Sequence, residues 1–444
     1  MASSSAQEQI AYLRSLPSIR DRCSQVFALA EEDKLQYWSV DLSQEVSIVD
    51  FVCELIARDY GTDYNSIPPH GRWRHFVGDR IDPLLKQWEQ DKVDRFEVAR
   101  RLVDLMVSSV LMDAGAGDVW KFVPKEGGAG IGRSEGLAVG SLEMFEQGLF
   151  SGDEKQPYKV DSVGLSKITT SQISSAMQVS DSNPMTGIEG RATLLVRLGT
   201  VLSDPANTAY FTSPTDPTSK RPGHIIDYLL AHPTSQQIPS ASSYNIAVKI
   251  ETLWEIVVSG LSGVWPAARS KIDGVSLGDV WPVECLKNEG KDPHVSFHKL
   301  SQWLSYSLIE VMEKILGWKF IGKELMTGLP EYRNGGLLID FNLLVPKIPS
   351  LLTSFDLPIP ATLPTLLEVP PLDPSHSAVV ELRAVTIIML DRLAEGIRKK
   401  TGVELSLPQV LEAGTWKAGR EIAKKLRPET SGPPFRYVAD GTVF

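Results

Sequence analysis

HVSFHKLSQWLSYSLIEVMEKILGWKFIGKELMTGLPEYRNGGLLID, residues 294–340, joins a strongly periodic apolar run to a short turn rich in charged side chains. Phe297, Leu300, Trp303, Leu304, Leu308, Val311 and Ile315 recur at three- and four-residue spacing, which predicts a helix with one buried face. Ser296 is the expected N-cap, so His298 and Lys299 fall in the first turn, where unpaired amides and the helix dipole favour an anion. A phosphate suits that position, and a solvated lysine is the competing reading. Gly328-Leu-Pro-Glu331-Tyr-Arg333-Asn-Gly-Gly336 then reads as a turn presenting a carboxylate beside an arginine, with Asp340 closing the stretch. Two acids at the ends of one turn suit acid–base work, and a Glu331–Arg333 ion pair is the structural alternative.

Outward from this stretch the pattern remains helical. Residues 94–112 carry apolar side chains on too many faces for a surface helix, so they are expected at a core. Further helices are expected after Pro17 and Ser43, within 134–150, 185–202 and 244–261 (ending toward Pro266), and over 378–400. Ser134, Asp161 and Thr170 are candidate caps. The prolines of 346–374 exclude a long helix there, and the polar segment 203–222 is a candidate internal boundary within an otherwise single helical unit spanning 1–444. The class expected is mainly α with few short strands.

Composition narrows the function. The 444 residues include 45 Lys plus Arg against 55 Asp plus Glu, and the resulting charge of −10 argues against a duplex-binding protein. No apolar run reaches the length of a membrane span and the start lacks a signal-peptide core, so a cytoplasmic protein is expected. Cys23, Cys53 and Cys285 have neither redox nor metal spacing, and the seven histidines form no HExxH, so neither a metal nor another cofactor is expected. Gly132-Arg-Ser134-Glu-Gly136 has nucleophile-elbow spacing, but no apolar strand precedes it. In 70–76 the crowded Arg72, Trp73, Arg74 and His75 read either as a ligand wall or as a loop pinned by its aromatic residues.

The runs LRSLPSIRDRC, HGRWRHF, DAGAGDVWKF, QVSDSNPMTGIEGRA, VSFHKLSQWLSYSL, TGLPEYRNGGLLID and the terminal DGTVF resemble the uracil catabolism protein 4 family from end to end. That resemblance implies a place in a uracil-degrading route that passes through a ribosylated intermediate and yields urea. VSFHKLSQWL, LPEYRNGGLL and VELRAVTIIMLDRL are also similar, in the same order, to stretches of queuosine-nucleotide salvage glycosylases, with Glu331 standing where those enzymes carry Asp. This second resemblance implies an all-α fold similar to helix-hairpin-helix DNA glycosylases and lets roles be carried to Lys299, Gln302, Glu331, Arg333 and Arg383.

Together they imply hydrolysis of a ribosylurea 5′-phosphate to urea and ribose 5-phosphate. Glu331 would act on the sugar, and Asp340, Asp279 or a bound water would protonate the leaving nitrogen. Lys299, Arg333, Lys417 and Arg420 would hold the phosphate, and Trp73, Asp279, Trp281, His298, Gln302 and Arg383 would bind the rest of the substrate. A phosphorylated ribosyl compound is thus the expected partner, with other enzymes of the same route beside it. Two further readings compete: a non-catalytic carrier of the ring-opened product, and a lyase acting on the opened uracil nucleotide.

Overall fold

The computed structural model describes residues 4–113, 115–117, 119–238, 245–265 and 269–438. Tyr244, Pro266 and the terminal DGTVF run therefore lie outside the described residues. Helices account for 56% of the described residues and the strands are two to four residues long, so the fold is mainly α. Two compact units form, each built from separated segments: residues 1–70, 267–302 and 324–444 in the first, and 71–266 with 303–323 in the second. Residues 203–222 fall inside the second.

In the first unit the helix Ser377–Thr401 packs against Leu16–Glu31, Glu45–Tyr60 and Tyr332–Asp340. Val379, Leu382, Val385, Met389, Leu393 and Ile397 are among its buried side chains, and the spacing gives it a continuous apolar face. Arg398, Lys399 and Lys400 in its last turn complement the helix dipole, and Gly402, at φ 69°, ends it in the left-handed conformation that glycine adopts without strain. A two-stranded antiparallel hairpin, Val280–Pro282 with His294–Ser296, feeds the helix Lys299–Val311.

In the second unit Arg95–Leu111 is capped by Asp94, whose side chain accepts the Phe96 amide. It packs against Arg133–Glu146, Ile188–Ser203 and the widened turn Met312–Leu316 that continues Lys299–Val311. The apolar fullness of 94–112 follows from this all-round burial: every residue from Leu102 to Leu111 is buried. Strand Ile246–Lys249 pairs in parallel with Lys319–Ile321.

Two expected caps shift: Thr169, not Thr170, caps Thr170–Ala176 and forms a capping box with Gln172, and Ser134 lies inside its helix, behind Gly132. The helix expected from Pro17 is Leu16–Glu31, with Ser15 as its cap and Pro17 in its first turn. Asp161 caps as expected. Residues 346–374 contain no long helix, only the seven-residue Ile348–Ser354, as their prolines require.

Candidate active site

The start of Lys299–Val311 differs from the sequence reading. Ser296 ends a strand, and its hydroxyl donates to the Leu13 carbonyl at 2.8 Å, so it caps nothing. His298 sits at φ 47° as the chain turns from strand into helix, and its carbonyl accepts the first helical amide, that of Gln302, at 2.9 Å. Its buried ring is bound by Nε2 to the Leu13 carbonyl at 2.9 Å, and burial pushes its pKa down. A neutral structural imidazole results.

The cap comes from 20 residues upstream. Asp279 accepts the Lys299 amide on Oδ2 at 2.9 Å and the Trp281 indole on Oδ1 at 2.7 Å. Arg383 grips the same carboxylate with both terminal nitrogens, at 2.8 and 2.7 Å. Burial alone would raise the Asp279 carboxyl, but Arg383, the Lys299 amide and the Trp281 indole outweigh it and hold the group well below the usual carboxylate range. Four donors use the four acceptor positions of a carboxylate. Asp279 therefore has no proton to give and no lone pair for a substrate. The helix end expected to receive a phosphate already holds an anion, the Asp279 carboxylate, and the Lys299 side chain there is half-buried.

Arg383 extends the cluster toward the turn. Its Nε donates to the Pro330 carbonyl at 3.1 Å, one residue before Glu331, and its guanidinium lies 4.1 Å from the Phe297 ring centre. Gln302, fully buried, donates to Thr327 Oγ1 at 3.2 Å and accepts the Thr327 amide at 3.4 Å. Thus Asp279, Arg383, Trp281 and Gln302 brace the turn at 327–331.

Glu331 is the N-cap of Tyr332–Asp340. Oε2 accepts the Arg333 amide at 2.7 Å and Oε1 the Asn334 amide at 2.9 Å, and the residue is 8% exposed. Each oxygen keeps a second acceptor position. Arg333 meets Glu331 through its main chain only; its guanidinium donates to the Ser431 carbonyl at 2.9 Å and lies 4.9 Å from the Tyr332 ring centre. The backbone fit here is close. A Cβ on Gly419 would come within 2.3 Å of the Arg333 carbonyl oxygen, and one on Gly328 within 2.5 Å of Leu390. Asn334 is 1% exposed and donates to the Leu329 carbonyl at 2.9 Å, while its Oδ1 is buried with no donor among the described residues. A buried unpaired acceptor costs about 1–3 kcal/mol, so this atom is suited to a ligand's N–H or O–H.

The remaining candidates are committed elsewhere. Asp340 is held by both terminal nitrogens of Arg427, at 2.8 and 2.6 Å, with its side chain 4% exposed. Lys417 pairs with Asp59, whose carboxyl is held down to about 2 by Arg58 and by Lys417 itself. Arg420 lies 4.8 Å from the Trp416 ring centre. Trp73 belongs to the second unit, where Lys314 stands 4.4 Å over its ring; burial and then the Arg74 charge push that lysine down to about 8. There Arg72 is fully buried, pairs with Asp113 at 2.8 Å and donates to Ser109 Oγ at 2.8 Å, while Arg74 pairs with Glu310. Arg72 and Arg74 are thus tied into the second unit by ion pairs. Among the described residues no group of acids, histidines and cysteines has the arrangement of a metal site.

Three comparisons bear on this geometry. A protein family described as "Protein of unknown function (DUF1688)" matches residues 12–444. The chain is 42% identical over 453 aligned positions to "Uracil catabolism protein 4" of Lachancea kluyveri, covering 98% of this chain and 99% of the relative. It is 38% identical over 444 positions to "Protein urg3" of Schizosaccharomyces pombe, again covering 98% and 99%.

Proposed function

This chain belongs to the DUF1688 family together with uracil catabolism protein 4, and from that premise we propose that it acts in uracil catabolism as an N-glycoside hydrolase cleaving a ribosylurea 5′-phosphate. The observation that carries the reading is the Glu331 carboxylate: buried, oriented by two amides, and still holding one acceptor position on each oxygen.

As the C1′–N bond lengthens, positive charge builds on the sugar ring. A fixed carboxylate stabilises that charge without reorganising, because its two amide partners and the Arg383–Pro330 contact already set its orientation. Water supplies hydroxyl to C1′ and a proton reaches the urea nitrogen, giving ribose 5-phosphate and urea. Asp279 and Asp340 are each engaged by an arginine on both oxygens, so a water molecule rather than either acid delivers the proton. Asn334 Oδ1 accepts a hydrogen bond from the ureido end or a sugar hydroxyl. Lys299 binds the phosphate.

Purified protein incubated with ribosylurea 5′-phosphate tests the proposal. Equimolar urea and ribose 5-phosphate are expected. Tight binding without product would favour the carrier reading, and loss of the opened uracil nucleotide without water uptake would favour the lyase.

A further inference from the structure

We infer that the C-terminal tail, residues 431–438, is a working part of the Glu331 site, and that Tyr437 is a positioning residue acting on Glu331 through Tyr332. The inference rests on Glu331 being the reacting carboxylate. It starts from Tyr332, the first residue of the helix that Glu331 caps, so whatever fixes Tyr332 fixes the carboxylate beside it. The Tyr437 ring stacks on the Tyr332 ring with centroids 5.4 Å apart and planes 16° from parallel.

Three further ties hold the tail along the same short helix. The Ser431 carbonyl accepts Arg333 Nη1 at 2.9 Å, and the Arg333 amide is itself one of the two that orient Glu331. The Gly432 carbonyl accepts Arg427 Nε at 2.8 Å, and the other nitrogens of that guanidinium hold Asp340 at the helix's far end. Pro434 would stand 3.0 Å from a Cβ placed on Gly336. The tail is in turn anchored from behind. Phe435 is 1% exposed, Leu372 and Tyr437 form a parallel bridge, and Arg436 donates to the Val369 carbonyl at 2.8 Å.

Tyr437 and Tyr332 are themselves half-buried. Their stacked rings therefore contribute little core volume, which separates a positioning role from a purely stabilising one.

The test compares Tyr437→Ala and Tyr437→Phe with the unaltered full chain. In Tyr437→Ala, the amides of Arg333 and Asn334 should exchange with solvent deuterium about tenfold faster, while those of Ser377–Thr401 stay unchanged. Release of urea from ribosylurea 5′-phosphate should fall about thirtyfold in kcat with KM moving less than about twofold, because a misaimed carboxylate harms the reacting state more than binding. Tyr437→Phe keeps the ring and should restore both. Unchanged exchange at 333 and 334 in Tyr437→Ala overturns the inference. So does a uniform rise across the whole unit, which marks a stabilising role only. If the unaltered chain releases no urea, the hydrolase reading fails, while the exchange comparison still decides whether Tyr437 holds the Glu331 turn.

Discussion

Asp279 and Glu331 are both carboxylates at the start of a helix, and both accept main-chain amides there. Their surroundings differ in one respect that decides their chemistry. Asp279 faces a bidentate arginine and an indole as well as an amide, so its acceptor positions are filled and its charge is fixed. Among the described residues Glu331 faces two amides and no cation, so half of its acceptor capacity is left for something else. A saturated carboxylate organises structure, and an oriented but unsaturated one can act on a substrate. Arg383 joins the two, holding Asp279 with its terminal nitrogens and the Pro330 carbonyl with Nε.

Replacing the saturated acid should show its role in stability. Asp279→Asn removes the charge that the almost fully buried Arg383 grips on both oxygens and is expected to cost about 3–5 kcal/mol of unfolding free energy. Denaturant titration measures it. A loss below about 1 kcal/mol would mean that the Asp279–Arg383 pair does not brace the site.

Glu381, two residues before Arg383, sharpens the contrast from the other side. It is fully buried and accepts the Gln36 and Tyr37 amides at 3.0 Å each, but no cation among the described residues pairs with it, and burial pushes its pKa up to about 7. Its folded value lies above the ordinary one, so its contribution is complete below about pH 4.5 and is lost as pH rises through 7. That loss is on the order of 3 kcal/mol. Asp104, buried in the second unit and raised to about 6 by burial, slopes the same way at lower pH, so the wild type must be compared with Glu381→Gln. The variant should be flatter between pH 4.5 and 7. Equal slopes would show that an amide-capped carboxylate is not raised in this setting.

Lys299→Met probes the phosphate end and should give the smallest effect of the three. The helix amide that would have shared the phosphate already serves Asp279, so the contact reduces to a single charge-assisted one, and about a tenfold loss of kcat/KM is expected. Unphosphorylated ribosylurea should lose almost nothing. An equal loss for both substrates would move the phosphate site away from Lys299.

The helices were legible because burial imposes its period on the sequence: 94–112 and 378–400 are found as Arg95–Leu111 and Ser377–Thr401. The turn at 328–336 was legible as glycine and proline chemistry around a carboxylate. What sequence missed was partnership across distance. Ser296 looked like a cap by position, yet a hairpin pairing carries Asp279 to the helix end in its place. Asp340 looked available until Arg427 closed on it from 87 residues away. Asn334 lies inside the turn motif and Tyr437 in none of the motifs, and neither is expected at the site from residue type alone. An amide and a tail tyrosine declare a role only when an unpaired oxygen or a stacked ring is seen.

The most direct test of the account is the rate of urea release from ribosylurea 5′-phosphate by Glu331→Gln, measured under single turnover beside its melting curve. A loss of about three orders of magnitude or more in rate is expected from a protein that stays folded, because the substitution removes the charge that faces the developing cation. A rate per folded molecule within about threefold of the unaltered chain would contradict it and reduce Glu331 to a helix cap.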